Sequence, residues 1–274
     1  MFRAMHRDIV AAPRALPPWE LLDAAALPDA TREVVRRTWS ARVEAEYRSM
    51  VVFGEVLARL PEAGLPLEVS SAATRLVQDE ARHTEFCARI AEAFGGHHDA
   101  LLDPTSLRLV DDGLAADLFV ARWTASMFCI GETASVGLLE VLSEHATNPC
   151  VAAVIDSLLR DERMHDRFGW ALAKLVFPRL SDDDREWLGA DLAFAFAHYD
   201  ANDAGCLRPD GGKVPDAPTE PEDALALGLG AASRWRLAPA FYRRLDEVIL
   251  PGLADLGIPA YEAWVLRTEA PVPA

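Results

Sequence analysis

The sequence predicts an all-α protein built from two internally similar helical hairpins followed by further C-terminal helices. Three observations carry that expectation. Apolar residues recur at steps of three and four through most of the chain. The alternating β-branched pattern that strands need is scarce. The string Asp-Glu-x-x-His occurs twice, at Asp79–His83 and Asp161–His165, both times inside a segment of helical periodicity.

Residues 1–28 are punctuated by Pro13, Pro17, Pro18 and Pro28 and read as an arm with one short helix around Trp19–Ala26. A long helix is expected from Thr31 to Leu60. Val35, Trp39, Val43, Met50, Phe53, Leu57 and Leu60 line one face of it, and Pro61, Gly64 and Pro66 end it. A second helix runs from Leu67 to Phe94 and stops at Gly95-Gly96. Residues 97–112, with His97, His98 and Asp103-Pro104, form a connecting loop. A third helix covers Leu114–His145. Asn148-Pro149 interrupts the chain, and Pro149 suits the first position of a fourth helix that ends near Val176, before Pro178. Ser181 with Asp184 resembles a capping box and opens a fifth helix to about Tyr199. Glycines and prolines dominate 201–221, a loop, and further helices are expected near 222–230, 239–256 and 259–268. The domain organisation that follows is an arm (1–28), a four-helix segment (29–178) and a helical extension packed on it (179–274).

Composition narrows the function. The 274 residues carry 27 Lys and Arg against 43 Asp and Glu, a formal charge of −16. Such acidity opposes binding to nucleic acid or to anionic membrane through net charge. Cys87, Cys129, Cys150 and Cys206 lie far apart with no C-x-x-C pair, which excludes a zinc ribbon, a thioredoxin motif and a rubredoxin site. Reduced thiols and a cytoplasmic location are the simplest reading. Met1–Val10 has no apolar core of a secretory signal, and no long uncharged apolar run suggests a membrane span.

The repeat extends beyond its two strings. Glu46-x-x-Ser49 precedes the first copy and Glu132-x-x-Ser135 the second. Each predicted hairpin thus carries one Glu and one Glu-x-x-His. Residues three apart share a helix face, so Glu80 with His83, and Glu162 with His165, are each able to reach one metal ion. Glu46 falls in the gap of the apolar stripe of the first helix, whereas Glu44 falls to one side. Glu132 sits among Phe128, Cys129, Ser135 and Val136, nearer mid-helix than Glu140 or Glu144. The expected metal ligands are Glu46, Glu80, His83, Glu132, Glu162 and His165. Carboxylates and imidazoles in this ratio suit iron or manganese. Asp79 and Asp161 precede the chelating glutamates. They are expected to hold the outer ring nitrogens of the histidines, each toward the histidine of the other hairpin. No catalytic residue beyond the ligands and no binding site for an organic cofactor is read from the sequence. Gly131, Gly137 and Gly169 either leave room near the ligands or permit close helix packing.

These residues resemble the ferritin-like di-metal carboxylate superfamily over about 31–178. The resemblance implies a four-helix bundle around two iron ions (Fe/Fe, or a mixed Mn/Fe pair) that react with dioxygen. It implies a non-haem di-iron oxygenase or oxidase that hydroxylates, desaturates or similarly oxidises a small organic substrate. Electrons would then come from a separate ferredoxin- or flavin-type reductase, because the chain holds no reductase motif. A homodimer is compatible with it. Departures separate subfamilies: Cys87 stands where ribonucleotide reductase small subunits usually carry a radical tyrosine, and Leu158 where amine N-oxygenases carry an extra histidine. The alternatives are a ferroxidase, iron-handling or peroxide-detoxifying protein, and a non-catalytic bundle stabilised by metal.

Overall fold

A computed structural model describes residues 16–96, 113–208 and 222–270. The expected loop at 97–112, with His97 and His98, lies outside the described residues, as does most of the loop at 201–221. Every regular element among the described residues is helical. The chain forms two compact units, Met1–Leu114 with Leu142–Asp161 and Glu222–Ala232, and Ala115–Val141 with Glu162–Pro221 and Ser233–Ala274. Two of their limits, 141/142 and 161/162, fall inside helices.

The first unit is organised by a long antiparallel hairpin. Helix α1 spans Asp29–Arg59 and α2 spans Leu67–Ala93. Val35, Trp39, Val43, Val52, Phe53 and Val56 bury one stripe of α1. On α2 the buried positions are Val69, Ala72, Ala73, Leu76, Phe86, Ile90 and Ala91. Helix α2 ends as expected: Gly95 adopts φ +85°, and the Gly96 amide returns to the Ala91 carbonyl. The predicted short helix at Trp19–Ala26 shrinks to one 3₁₀ turn, Trp19–Leu21, with Pro18 before it.

Two further helices contribute to both units. Helix α3 spans Ala116–His145. Helix α4 spans Pro149–Val176, and the Asn148 carboxamide oxygen caps it by accepting from the amides of Cys150 and Val151 at 2.9 and 3.1 Å. In the first unit Ser143 of α3 donates to Asp156 of α4 at 2.8 Å. In the second unit Arg163 of α4 donates to Glu140 of α3 at 3.0 Å, and Phe128 presses on Gly169 so closely that a Cβ there would sit 2.3 Å away. By length and composition α3 passes for a membrane span, but 67% of its apolar window is buried within the protein, as in a core helix.

One stretch of α3 is not α-helical. Thr124–Glu132 is wound as a π-helix. The periodicity of the sequence does not reveal this, because one extra residue per turn leaves both flanks equally apolar. The glycines expected near the ligands are filled by neighbours. A Cβ on Gly131 would meet the Tyr199 hydroxyl at 2.5 Å, and one on Gly137 the Arg244 Cγ at 2.8 Å. Close packing is therefore their role, and they leave no space.

The second unit continues with α5, Asp182–Asp203, which begins at the expected Ser181/Asp184 capping box and ends four residues later than predicted. Helix α6, Ala224–Gly228, belongs to the first unit. Helix α7, Arg234–Arg244, passes through a π-helical stretch, Leu245–Ile249, into α8, Leu250–Asp255, and α9 is Ala260–Leu266. Helix α7 starts five residues before the predicted 239, because Pro239 is tolerated within its early turns instead of opening it. Asp200 ties the C-terminal part of this unit together, accepting from Tyr242 at 2.7 Å and from Arg267 at 2.9 Å. At the C-terminal end of this unit Trp264 is buried and Arg267 is paired with Asp200.

Candidate metal centre

In the first unit, Glu46 of α1 meets Glu80 and His83 of α2. Spacing explains the α2 pair: residues i and i+3 stand one above the other on a helix. Glu46 points to them because its helix phase follows Val43, which is 3% exposed. Glu44, by contrast, is exposed. The Nδ1 atom of His83 lies 3.3 Å from Glu46 Oε2 and 3.8 Å from Glu80 Oε1. One ligand atom from each of the three falls within 4.8 Å of the others. Glu80 and His83 are buried, and the Glu46 side chain retains 15% exposure.

Behind this triad stands a ring of charges. His83 Nε2 lies 3.4 Å from Asp161 Oδ2, so the carboxylate accepts the outer N–H and leaves Nδ1 to face the glutamates. Arg82 donates to Asp161 at 2.9 Å and also to Asp79. Arg75 donates to Asp79 at 2.6 Å. Asp79 and Asp161 are each at most 2% exposed, so two arginines offset two buried aspartates. Sequence reading missed Arg75 and Arg82. Their signal was present, since Arg75 lies four before Asp79 and Arg82 three after it, both spacings of helical ion pairs.

In the second unit, Glu132 at the end of the π-helical stretch meets Glu162 and His165 of α4. His165 Nδ1 lies 3.1 Å from Glu162 Oε2 and 3.7 Å from Glu132 Oε2. These three ligand atoms also fall within 4.8 Å of one another. All three residues are at most 5% exposed. Burial first, and the neighbouring Glu162 second, push the Glu132 carboxyl well above the usual carboxylate range. Next to these ligands Asp166 accepts from Thr133 at 2.6 Å and from Trp170 at 3.1 Å. That triangle fixes the turns of α3 and α4 from which Glu132 and His165 project, and nothing in the sequence pattern marked it.

The arrangement has a definite chemistry. Two donors at right angles, each about 2.1 Å from one ion, are ~3 Å apart, and the observed spacings of 3.1–3.8 Å are close to that. Each triad contains two carboxylates and one imidazole, a charge of about −2 when ionised, which one divalent cation neutralises. Without such a cation, two buried carboxylates side by side are costly, and the raised Glu132 pKa is the expected response. The buried Glu/His clusters are thus able to hold metal. Cys87 and Cys129, one turn from His83 and Glu132, are buried, and desolvation holds both thiols protonated. His198 lies edge-on against Tyr199 on α5. No protein-family model matches the chain, and no curated protein matches it.

Proposed function

We propose that this chain is a non-haem di-iron oxidoreductase, with one ion in each triad, iron in both or manganese in one. It is proposed to activate dioxygen and oxidise a small organic substrate. The observation that carries this reading is the duplication: two buried sets of two carboxylates and one imidazole, each built from a Glu and a Glu-x-x-His. Oxygen and nitrogen donors of this kind suit redox-active first-row ions, and no thiolate takes part. Such ions, when bound, supply the electrons with which dioxygen is reduced.

The chain's own residues serve that chemistry in three ways. Asp161 holds the outer N–H of His83 and so fixes which nitrogen is offered to an ion. Arg75 and Arg82 hold Asp79 and Asp161 in turn, which keeps the ligands from relaxing when no ion is bound. Burial of the ligands excludes bulk water, which would otherwise compete for coordination and dissipate oxidising equivalents. The apolar surroundings of Phe128, Phe168 and Ile130 favour a substrate with hydrocarbon character. A separate reductase supplies electrons in this reading.

Elemental analysis of protein purified from iron-supplemented cells, combined with oxygen uptake after anaerobic reduction, tests it. Two ions per chain and stoichiometric oxygen consumption are expected, with the Glu80→Ala and His165→Ala variants each losing metal. Full occupancy in both variants, or a metal-replete protein that consumes no oxygen, would overturn it. Iron uptake far beyond two atoms per chain would point to iron handling instead.

A further inference from the structure

Arg42 stands apart from the other sequestered arginines. Arg75, Arg82, Arg208 and Arg267 all pair with carboxylates. Arg42 is half-buried on α1, and its Nη1 atom is fully buried with no hydrogen-bond partner. No carboxylate among the described residues forms an ion pair with it. Glu46, which acts on it from one turn away, is directed to His83. The guanidinium carbon lies over the Trp39 ring, 4.5 Å from its centroid. Trp39 is itself fully buried and anchored, its Nε1 donating to the Leu229 carbonyl at 2.9 Å. Cys87, on the facing helix, is completely buried, and desolvation keeps its thiol neutral, so it supplies no counter-charge.

A guanidinium with one nitrogen shut off from water and from any acceptor is costly unless a ligand provides a partner. We propose that Arg42 is the recognition residue for the carboxylate of a small organic acid, held in a fork whose plane the Trp39 ring fixes. The planar donor pair matches a carboxylate bidentately. A single half-buried cation takes a single negative charge, and the overall charge of −16 disfavours polyanions. Arg42 and Glu46 are one helical turn apart, about 6 Å along the axis. A monocarboxylic acid held by its anionic end therefore has its apolar body within reach of the first triad. This assignment rests on the function proposed above and names its substrate class.

Binding of benzoate and octanoate to the metal-free protein, measured by calorimetry and by quenching of tryptophan emission, tests the assignment without any turnover. At least one acid is expected to bind saturably, about tenfold tighter than its amide. Arg42→Gln should abolish that preference, and Arg42→Lys, which keeps charge but loses the fork, should weaken the acid by a smaller factor. Equal affinity for acid and amide, absence of saturable binding by both acids at millimolar concentration, or Arg42-dependent binding of inorganic phosphate in their place would overturn it. The acid–amide comparison needs only the unaltered protein, so a variant that fails to fold leaves it decisive. Metal content of the protein as purified, before the metal is removed, separates the two readings. Two ions without acid binding sinks only the role of Arg42. Acid binding without metal sinks the di-iron proposal.

Discussion

Replacing Asp161 by Asn removes one charge while keeping shape and one acceptor oxygen. In the folded protein Asp161 is 2% exposed, faces His83 Nε2 at 3.4 Å and accepts from Arg82 at 2.9 Å. Two effects follow. The imidazole loses the partner that orients it, which typically costs 10–100-fold in metal affinity, or about 1.4–2.7 kcal/mol. Arg82 retains only Asp79 as an ionic partner, at a cost of roughly 1.5 kcal/mol for a weakened charge-assisted bond; the Arg82 side chain is 23% exposed, which lowers that figure through solvent screening. Anaerobic competition between protein and a chromophoric chelator for Fe(II) measures the first effect, and urea unfolding of the metal-free protein measures the second. Asp156→Asn is the matched control: the same charge change on the same helix, at a position that only accepts from Ser143. Affinity of Asp161→Asn within twofold of the parent would refute the claim that this carboxylate organises a metal ligand.

Two further outcomes are expected. Glu46→Ala should lower the metal content of the first triad, while Glu44→Ala, at an exposed position, should leave it unchanged; metal analysis giving the reverse ranking would show the assigned phase of α1 to be wrong. Metal-free protein should lose stability as pH rises above the ordinary glutamate value of 4.5, because Glu132 holds its proton more tightly folded than unfolded. The folded state binds more protons over that interval, so the slope of stability against pH is negative there. Glu132→Gln should flatten it, and an unchanged slope in urea titrations across that range would assign the effect elsewhere.

Much of this was legible in the chain because it follows from one-dimensional spacing. The bounds of α1 and α2 lie within two residues of the predicted ones, since Pro61, Pro66 and Gly95-Gly96 act on the backbone locally. The three-residue steps from Glu80 to His83 and from Glu162 to His165 fix a shared face wherever the helix sits. Contacts between distant segments left no such mark. Thr133, Asp166 and Trp170 form a polar triangle whose members look like ordinary helix residues in sequence. Gly131 and Gly169 were ambiguous for the same reason: only the positions of Tyr199 and Phe128 decide between vacancy and contact. Arg42 gives no sign in sequence of being unpaired, because pairing is a property of what surrounds a side chain.

The π-wound stretch that delivers Glu132 amounts to a helix with one residue too many. Residues on its two flanks are therefore out of step by about a quarter of a turn relative to an unbroken α-helix. A homologue lacking the surplus residue would align with this chain only if a gap of one were opened inside the helix, just upstream of Glu132. Ungapped helical matching would slide either Phe119 and Val120 or the glutamate itself onto the wrong column. Kinship with other duplicated Glu and Glu-x-x-His proteins is thus best sought by anchoring on the four acidic positions and letting the segment between Ala116 and Glu132 drift by a single place.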